Sequence, residues 1–281
     1  LGETAVSPKT RQEVVDKNVN VGEGVDRASL QLPGIQNELL KKIGNTGTPV
    51  VLVLINGRPL AIPWAASHVP AIIESWEPGE EGGTAIARAL FGKYNPGGKL
   101  PVTIPRSVGQ IAVYYNHDRW THSGRGYIGE SMKPLYPFGH GMSYTTFDYQ
   151  NLVVKPSKGP LGIFTIDCEV SNTGIQPGDE VVQLYIEDKF ASVVPPVKEL
   201  RGFQRIHLKP GETKHVVFEL PGQLLAMYNN QMEYVIEPGE FAVLIGSSSE
   251  DIRLKGRFSV ESGTSVDPNK TFFTASYAYP D

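Results

Sequence analysis

The hydrophobic pattern of this chain changes its period part-way along, and this change constrains the fold more than any other feature. Before about residue 145, apolar runs such as VVLVLI (residues 50–55) are interleaved with amphipathic segments, whereas later segments alternate apolar and polar residues one by one. A continuous apolar run is typical of a strand covered on both faces in a parallel sheet. Strict alternation is typical of a half-buried strand. The sequence therefore predicts an α/β region followed by an all-β region.

The first region predicts short units of strand and helix. AIIESW (residues 71–76) is a second apolar strand, and PGIQNELLKKIG and EEGGTAIARALFG predict helices that end at Gly44 and Gly92. In the first of these helices, Ile35, Leu39 and Ile43 share one apolar stripe. This order of elements predicts part of an α/β sandwich with a mostly parallel sheet over residues 1–145, including a connecting loop.

The second region predicts a fibronectin III-like β-sandwich over residues 146–261. In GIFTIDCEV, Phe164, Ile166, Cys168 and Val170 alternate with residues that are mostly polar, which indicates one buried face. Further short strands follow, separated by turn clusters such as NTGIQPGD, KPGE and EPGE. Residues 262–281 form an aromatic C-terminal extension, which we expect to dock on another surface.

Composition and charge exclude several classes of protein. The net charge is −4 and the sequence shows no basic stripe, so neither nucleic acid nor an anionic membrane is an expected partner. The single cysteine, Cys168, excludes an internal disulfide and is expected to be a small buried hydrophobe. No phosphate-binding loop follows Gly83 and no Gly-x-Ser-x-Gly elbow occurs, so no cofactor is predicted.

Two stretches near the start carry side chains suited to chemistry. Glu3 either stands at the carboxyl end of a strand, where open α/β sheets bind ligands, or is a solvated carboxylate. Glu23, Asp26 and Arg27 lie in a glycine-rich segment, where the Asp–Arg pair either holds a loop or binds sugar hydroxyls.

A third stretch is HDRWTH at residues 117–122. His117, Asp118 and His122 fit no strong zinc spacing, so no metal site is predicted. Trp120 is either a stacking surface for a sugar or a packed anchor of its loop.

Seven stretches carry a family resemblance, in order from Leu1 to about Val260. They are GEGVDRASLQLPGIQNELL, PVVLVLINGRPLAIPW, PAIIESWEPGEEGGTAIARALFGKYNPGGKLPVTIPRSVGQIAVYY, PLYPFGHGMSYTTF, VSNTGIQPGDEVVQLYIED, VVPPVKELRGFQRIHLKPGET and EPGEFAVLIGSSSEDIRLKGRF. Together they resemble the C-terminal half of family 3 glycoside hydrolases, the β-glucosidase group. The resemblance implies an α/β sandwich domain, a fibronectin III-like domain and a (β/α)8 barrel that precedes them.

The resemblance also implies residue roles in a retaining mechanism. The family's nucleophile is an aspartate on the barrel, in a Ser/Thr-Asp-Trp type motif that this sequence does not contain. Leu1-Gly2-Glu3 matches the family's Gly-Glu step, which makes Glu3 the first choice for the acid/base and Glu23 the runner-up. Asp26 and Arg27 are expected to hold their loop with a sugar contact as a second role, and Trp120 to approach the substrate.

The implied activity is removal of sugars from the nonreducing ends of β-glucosides or oligosaccharides, with the barrel half as partner in the same gene product or in a separate chain. β-Xylosidase or arabinosidase activity, or a noncatalytic carbohydrate-binding or structural fragment, are the alternatives. This chain alone is expected to be inactive because it lacks the nucleophile. The compartment stays open, with a secreted or periplasmic location ahead of a cytoplasmic one.

Overall fold

A computed structural model describes residues 1, 27–110, 113–119 and 126–280. The chain divides into two compact units. The first comprises Leu1–Tyr94, Val102–Val113 and Gly126–Tyr136, and the second comprises Asn95–Pro101, Tyr114–Arg125 and Pro137–Asp281. Among the described helices, none has the length and apolar character needed to cross a membrane.

The first unit alternates helices and strands. Its elements are α1 (Gln36–Gly44), β1 (Val51–Leu54), α2 (Pro63–His68), β2 (Ala71–Glu74) and α3 (Gly82–Leu90). β1 and β2 pair in parallel, with Val51 opposite Ala71 and Leu54 opposite Glu74. The predicted α/β class is confirmed, and the parallel sheet in the described residues is small.

The core of the first unit differs from the sequence prediction in two details. Leu40 of α1 is buried, whereas Leu39 and Ile43 of the predicted stripe are exposed. One residue along a helix is a rotation of about 100°, so a core contact through Leu40 turns that stripe away from the sheet. β1 is not covered on both faces in the described part of the chain either, because Leu52 is buried and Val51 is 47% exposed. The buried core comprises Leu32, Leu40, Leu52, Leu54, Leu60, Ile62, Ala65 and Val69.

The second unit is an antiparallel β-sandwich, which confirms the fibronectin III-like prediction. Its strands are β3 (Phe147–Lys155), β4 (Ile163–Asn172), β5 (Gly178–Asp188), β6 (Glu199–Leu208), β7 (Thr213–Pro221), β8 (Met227–Tyr228), β9 (Tyr234–Ile236), β10 (Gly239–Gly246), β11 (Ile252–Val260), β12 (Thr264–Ser265) and β13 (Ala275–Pro280). One sheet has the order β13-β7-β4-β3, the other has the order β11-β10-β5-β6, and β12-β9-β8 forms a small third sheet.

The sandwich core follows the predicted alternation of β4. Phe164, Ile166, Cys168 and Val170 are all at most 2% exposed, while the residues between them are not buried. Phe164 contacts Phe258 of the opposite sheet with ring centroids 4.1 Å apart. Burial raises the pKa of the Cys168 thiol to about 12, as expected of a cysteine that serves as a small hydrophobe.

The aromatic C-terminal segment contributes β13, an edge strand of the first sheet. It pairs antiparallel with β7 so that Tyr277 lies opposite Val217 and Tyr279 lies opposite His215. Ladder hydrogen bonds thus hold the segment in one register on the sandwich.

Candidate functional site

The carboxyl ends of β1 and β2 form one edge of the parallel sheet, and a third backbone segment joins them there. The backbone nitrogen of Leu1 donates to the Val53 carbonyl at 2.8 Å, and the Ile55 nitrogen donates to the Leu1 carbonyl at 2.9 Å. This pattern is that of a parallel ladder, with Leu1 level with the end of β1. β1 therefore lies between Leu1 and β2, because its successive carbonyls point to opposite sides.

Two polar side chains meet at this edge, immediately after the apolar strands. Asn56 is 1% exposed, and its Nδ2 donates to the Arg58 carbonyl at 2.9 Å and to Glu74 Oε2 at 3.4 Å. Glu74 Oε1 accepts a hydrogen bond from the Trp76 nitrogen at 3.1 Å. Asn56 Oδ1 is buried and accepts no hydrogen bond from the described residues. Such an orphaned buried acceptor is costly and is a feature of sites that complete their contacts with a ligand or another segment.

The carboxyl group of Glu74 is perturbed by its surroundings. Burial raises its pKa above the ordinary value of 4.5, and the hydrogen bonds from Trp76 and Asn56 offset this only in part. A carboxyl with a raised pKa at the ligand-binding edge of an α/β sheet is a candidate for binding or positioning a polar group.

We expect this shift to appear as a pH dependence of stability. The folded state holds the Glu74 proton more tightly than the unfolded state, so this group's contribution to the free energy of unfolding falls as pH rises above about 4.5. Glu74→Gln, which does not titrate, should therefore gain stability relative to the parent chain as pH rises from about 4 to 8. Urea unfolding followed by tryptophan fluorescence measures this, since Trp64 and Trp76 belong to the first unit.

The control for that experiment is Glu38→Gln, which removes an exposed carboxylate on α1 of the same unit. The two variants should therefore differ in how their stability changes with pH. If Glu74→Gln behaves in the same way as the control, the inferred coupling between burial and ionisation is wrong.

The backbone at the end of β2 is strained. Trp76 has a φ of 51°, in the left-handed region that a bulky residue rarely adopts. Its carbonyl accepts a hydrogen bond from the Asn56 nitrogen at 3.1 Å, which ties the ends of the two strands together. Strain of this kind costs about 1–3 kcal/mol and is concentrated at functional sites.

A glycine brings a second carboxylate close to this edge. A Cβ placed on Gly57 would lie 2.9 Å from Glu77 Oε1, so the Glu77 side chain rests directly against the Gly57 backbone. The edge thus presents two carboxyl groups, an amide and a half-buried indole within a few residues of the strand ends.

Comparison with known proteins identifies the family. Residues 8–144 match the glycosyl hydrolase family 3 C-terminal domain, and residues 180–249 match a fibronectin type III-like domain. The chain belongs to glycosyl hydrolase family 3. Both matches agree with the resemblance found in the sequence motifs, which is thereby confirmed.

Relatives of this family 3 chain include two glycosidases of different specificity. One is a β-xylosidase of Formosa agariphila, 48% identical over 83% of this chain and 33% of the relative. Another is a periplasmic β-glucosidase of Salmonella typhimurium, 40% identical over 91% of this chain and 37% of the relative. The chain spans about a third of the length of these curated relatives.

Solved structures support the same assignment. The crystal structure of a β-glucosidase from Listeria innocua in complex with glucose matches with a TM-score of 0.81 and 34% sequence identity. That match covers 92% of this chain and 40% of the Listeria chain. The α/β unit and the sandwich of the family 3 chain therefore have counterparts in solved β-glucosidases.

Most site residues named from the sequence lie outside the described residues. These are Glu3, Glu23, Asp26 and Trp120. Arg27 is described and half-buried, and its guanidinium donates to the Gln31 carbonyl at 3.1 Å. That contact lies within its own loop, as a loop-holding role requires, and its second role as a sugar contact stays a prediction. The loop is also joined to the segment after β1, where the Ala61 nitrogen donates to the Leu30 carbonyl at 2.7 Å.

His117 and Asp118 are the two described residues of the three that were considered as metal ligands, and His122 lies outside the described residues. His117 Nδ1 lies 2.8 Å from the Asp118 carbonyl oxygen. The described part of the chain contains no group of three or more histidine, cysteine, aspartate and glutamate side chains able to hold a metal ion.

Sequence reasoning missed Asn56, Glu74 and Trp76, although a signal for them was present. All three stand at or just beyond the ends of the apolar runs that predict β1 and β2. The rule that directed attention to Glu3, that ligands bind at the carboxyl ends of parallel strands, applies equally to these residues.

Proposed function

We propose that this chain supplies the acid/base half of a retaining, exo-acting β-glycosidase, with Glu3 as the acid/base. The observation that carries the proposal is the register of Leu1, two positions before Glu3, beside β1 at the carboxyl end of the parallel sheet. Membership of glycosyl hydrolase family 3 supplies the reaction class. The glycosidase names of the relatives support the same class.

The mechanism requires two carboxyl groups on opposite sides of the glycosidic bond. Glu3, in its protonated form, gives its proton to the glycosidic oxygen while an aspartate of the preceding barrel attacks the anomeric carbon. The bond to the leaving alcohol breaks and a covalent glycosyl-enzyme forms. Glu3, now ionised, takes a proton from water, which attacks the same carbon and releases the sugar and the aspartate.

The length of the relatives supports placing the nucleophile outside this chain. The chain aligns with about a third of each relative, and its sequence contains no Ser/Thr-Asp-Trp type motif. We propose a (β/α)8 barrel as the missing half, in the same polypeptide or as a separate chain. The barrel would also carry most of the pocket that selects the sugar.

Several residues are proposed around Glu3. Glu23 is the alternative acid/base, because it stands in a second Gly-Glu step of the same segment. Asp26 and Arg27 would hold the loop and contact sugar hydroxyls, and Trp120 would stack on the substrate. The Arg27–Gln31 contact supports the loop-holding part of this assignment.

The substrate is proposed as a β-glucoside, with a β-xyloside or arabinoside as the second choice. The β-xylosidase of Formosa agariphila, at 48% identity, supports a β-xyloside as the second choice. The competing proposal is that the chain is a noncatalytic carbohydrate-binding or structural fragment, because a retaining mechanism requires two carboxyl groups and only one is proposed in this chain.

Trapping of the covalent intermediate tests whether the nucleophile lies outside this chain. A 2-deoxy-2-fluoro glycoside slows hydrolysis of the glycosyl-enzyme, so its sugar should stay attached to the nucleophile of the complete protein. We expect mass spectrometry of a digest to find the label on an aspartate outside these 281 residues. A label within this chain would contradict the proposed split, and a complete protein that neither hydrolyses glycosides nor becomes labelled would favour the noncatalytic alternative.

A further inference from the structure

The outward face of the β13-β7-β4-β3 sheet carries a row of aromatic rings. Alternation places Tyr277 and Tyr279 on the same face of β13, where they are 45% and 42% exposed. His215, opposite Tyr279 on β7, stacks on it with centroids 4.8 Å apart and planes inclined by 8°. The rings of Tyr277 and Tyr279 lie 6.4 Å apart and 28° from parallel. Three rings therefore share one sheet face, and those of Tyr277 and Tyr279 are exposed.

Two carboxylates stand beside these rings on the next strand. Asp167 and Glu169 of β4 lie opposite Val217 and His215 of β7, so they point to the same face as the rings. His215 Nδ1 lies 3.1 Å from Asp167 Oδ1, and Glu169 Oε2 accepts a hydrogen bond from Asn151 Nδ2 at 2.8 Å. A carboxylate offers about four acceptor positions, so both groups keep acceptor capacity toward solvent.

We propose that this face, defined by Tyr277, Tyr279, His215, Asp167 and Glu169, is a second carbohydrate-binding site that takes a neutral glycan chain. The C–H faces of a pyranose ring are apolar and slightly positive, and they match the negative faces of Tyr277 and the face of Tyr279 that His215 leaves uncovered. Sugar hydroxyls are donors, and the two carboxylates beside the rings are charged acceptors for them. Rings and acceptors thus occur together as glycan recognition requires.

The charge of the face selects among large ligands. Asp167 and Glu169 repel phosphate and carboxylate groups, which disfavours nucleic acid, an anionic membrane and an acidic polysaccharide. A neutral glycan brings hydroxyl donors and no charge of its own. Two strand spacings of about 4.8 Å separate β13 from β4, so the face is about 10 Å wide and exceeds a single sugar ring.

The choice of glycan as ligand rests on the proposed function, because a glycan is the substrate of a glycosidase. The site uses none of the residues at the edge of the parallel sheet, because all five of its residues belong to strands of the sandwich. Binding can therefore be measured without hydrolysis.

Affinity electrophoresis of the 281-residue chain tests the proposal. Its net charge of −4 makes it migrate as an anion in native gels containing mixed-linkage β-glucan, arabinoxylan or polygalacturonate. We expect at least one of the two neutral polysaccharides, and not polygalacturonate, to retard the parent chain. The Tyr277→Ala/Tyr279→Ala double variant should bind about tenfold more weakly, through loss of two stacking surfaces.

Two further variants complete the design. Tyr228→Ala removes a tyrosine of the same unit that is 49% exposed and lies on β8 of the small third sheet, so it should bind as the parent does. Asp167→Asn leaves β13 intact and should weaken binding about threefold by removing a charged acceptor, which keeps the test decisive if the double variant does not fold.

Three results would overturn the proposal. They are a parent chain that no neutral polysaccharide retards, equal retardation by polygalacturonate, and undiminished binding by folded face variants. Glu3→Ala should bind the polysaccharide as the parent chain does, so a failure of this site and a failure of the proposed chemistry give different results.

Discussion

Replacing Glu3 with alanine in the complete enzyme should lower turnover of an alkyl β-glycoside about 100- to 10,000-fold, the usual contribution of a general acid/base. An alkoxide leaves poorly without a proton, so this substrate depends on the acid in the first step. A dinitrophenolate leaves without protonation, so the first step with a dinitrophenyl glycoside should be nearly unaffected. Added azide should then restore turnover of the aryl substrate, because azide attacks the glycosyl-enzyme without needing a general base.

The choice between the two glutamates is made with the same assay. Glu23→Ala should lower turnover much less than Glu3→Ala and should yield no glycosyl azide. Glu38→Ala, which removes an exposed carboxylate on α1, serves as the control and should leave both substrates unaffected. Azide rescue of Glu23→Ala, with unaffected turnover in Glu3→Ala, would transfer the acid/base role to Glu23.

Phe218→Ala should destabilise the sandwich by about 3–5 kcal/mol, through lost burial and the cavity left behind. Phe218 is 0% exposed on β7 and belongs to the core between the two sheets. The only cysteine of the chain, Cys168, is also 0% exposed in this core and reports on its opening. If opening precedes reaction with a thiol reagent, labelling of Cys168 should become about 100-fold faster or more in the variant.

Phe203→Ala is the matched control, because Phe203 lies on β6 of the same unit and is 61% exposed. Its removal deletes the same side chain from the surface, so Cys168 labelling should change by less than about threefold. Equal labelling of the two variants would contradict the assignment of Phe218 to the packed core.

The sandwich was the more predictable half of the molecule. A strand that is buried on one face shows the period of two in its own sequence, and Phe164, Ile166, Cys168 and Val170 follow it without exception. The aromatic tail was expected to dock, but its register on β7 depends on ladder hydrogen bonds with residues about 60 positions earlier. No local pattern encodes that pairing, nor the row of rings that it creates with His215.

The α/β half was less predictable because its elements are short and their faces are set by neighbours. The helix α1 was predicted, yet Leu40 and not Leu39 is its buried leucine, since the contact with the sheet sets the rotation of the helix. The coupling of Asn56 to Glu74 joins residues 18 positions apart and depends on the parallel pairing of β1 with β2.

By itself, the sequence determined that an α/β region precedes an all-β region, that β4 is buried on one face, and the family of the chain. Hydrophobic periodicity and sequence motifs are local properties, so they can be recognised without the folded structure. The tertiary structure alone decided which segments become neighbours. It placed the backbone of Leu1 beside β1, buried Glu74 so that its pKa is raised, and stacked the rings of His215 and Tyr279. Hydrogen-bond register, desolvation and ring stacking depend on segments that are distant in the sequence and become neighbours only in the folded chain.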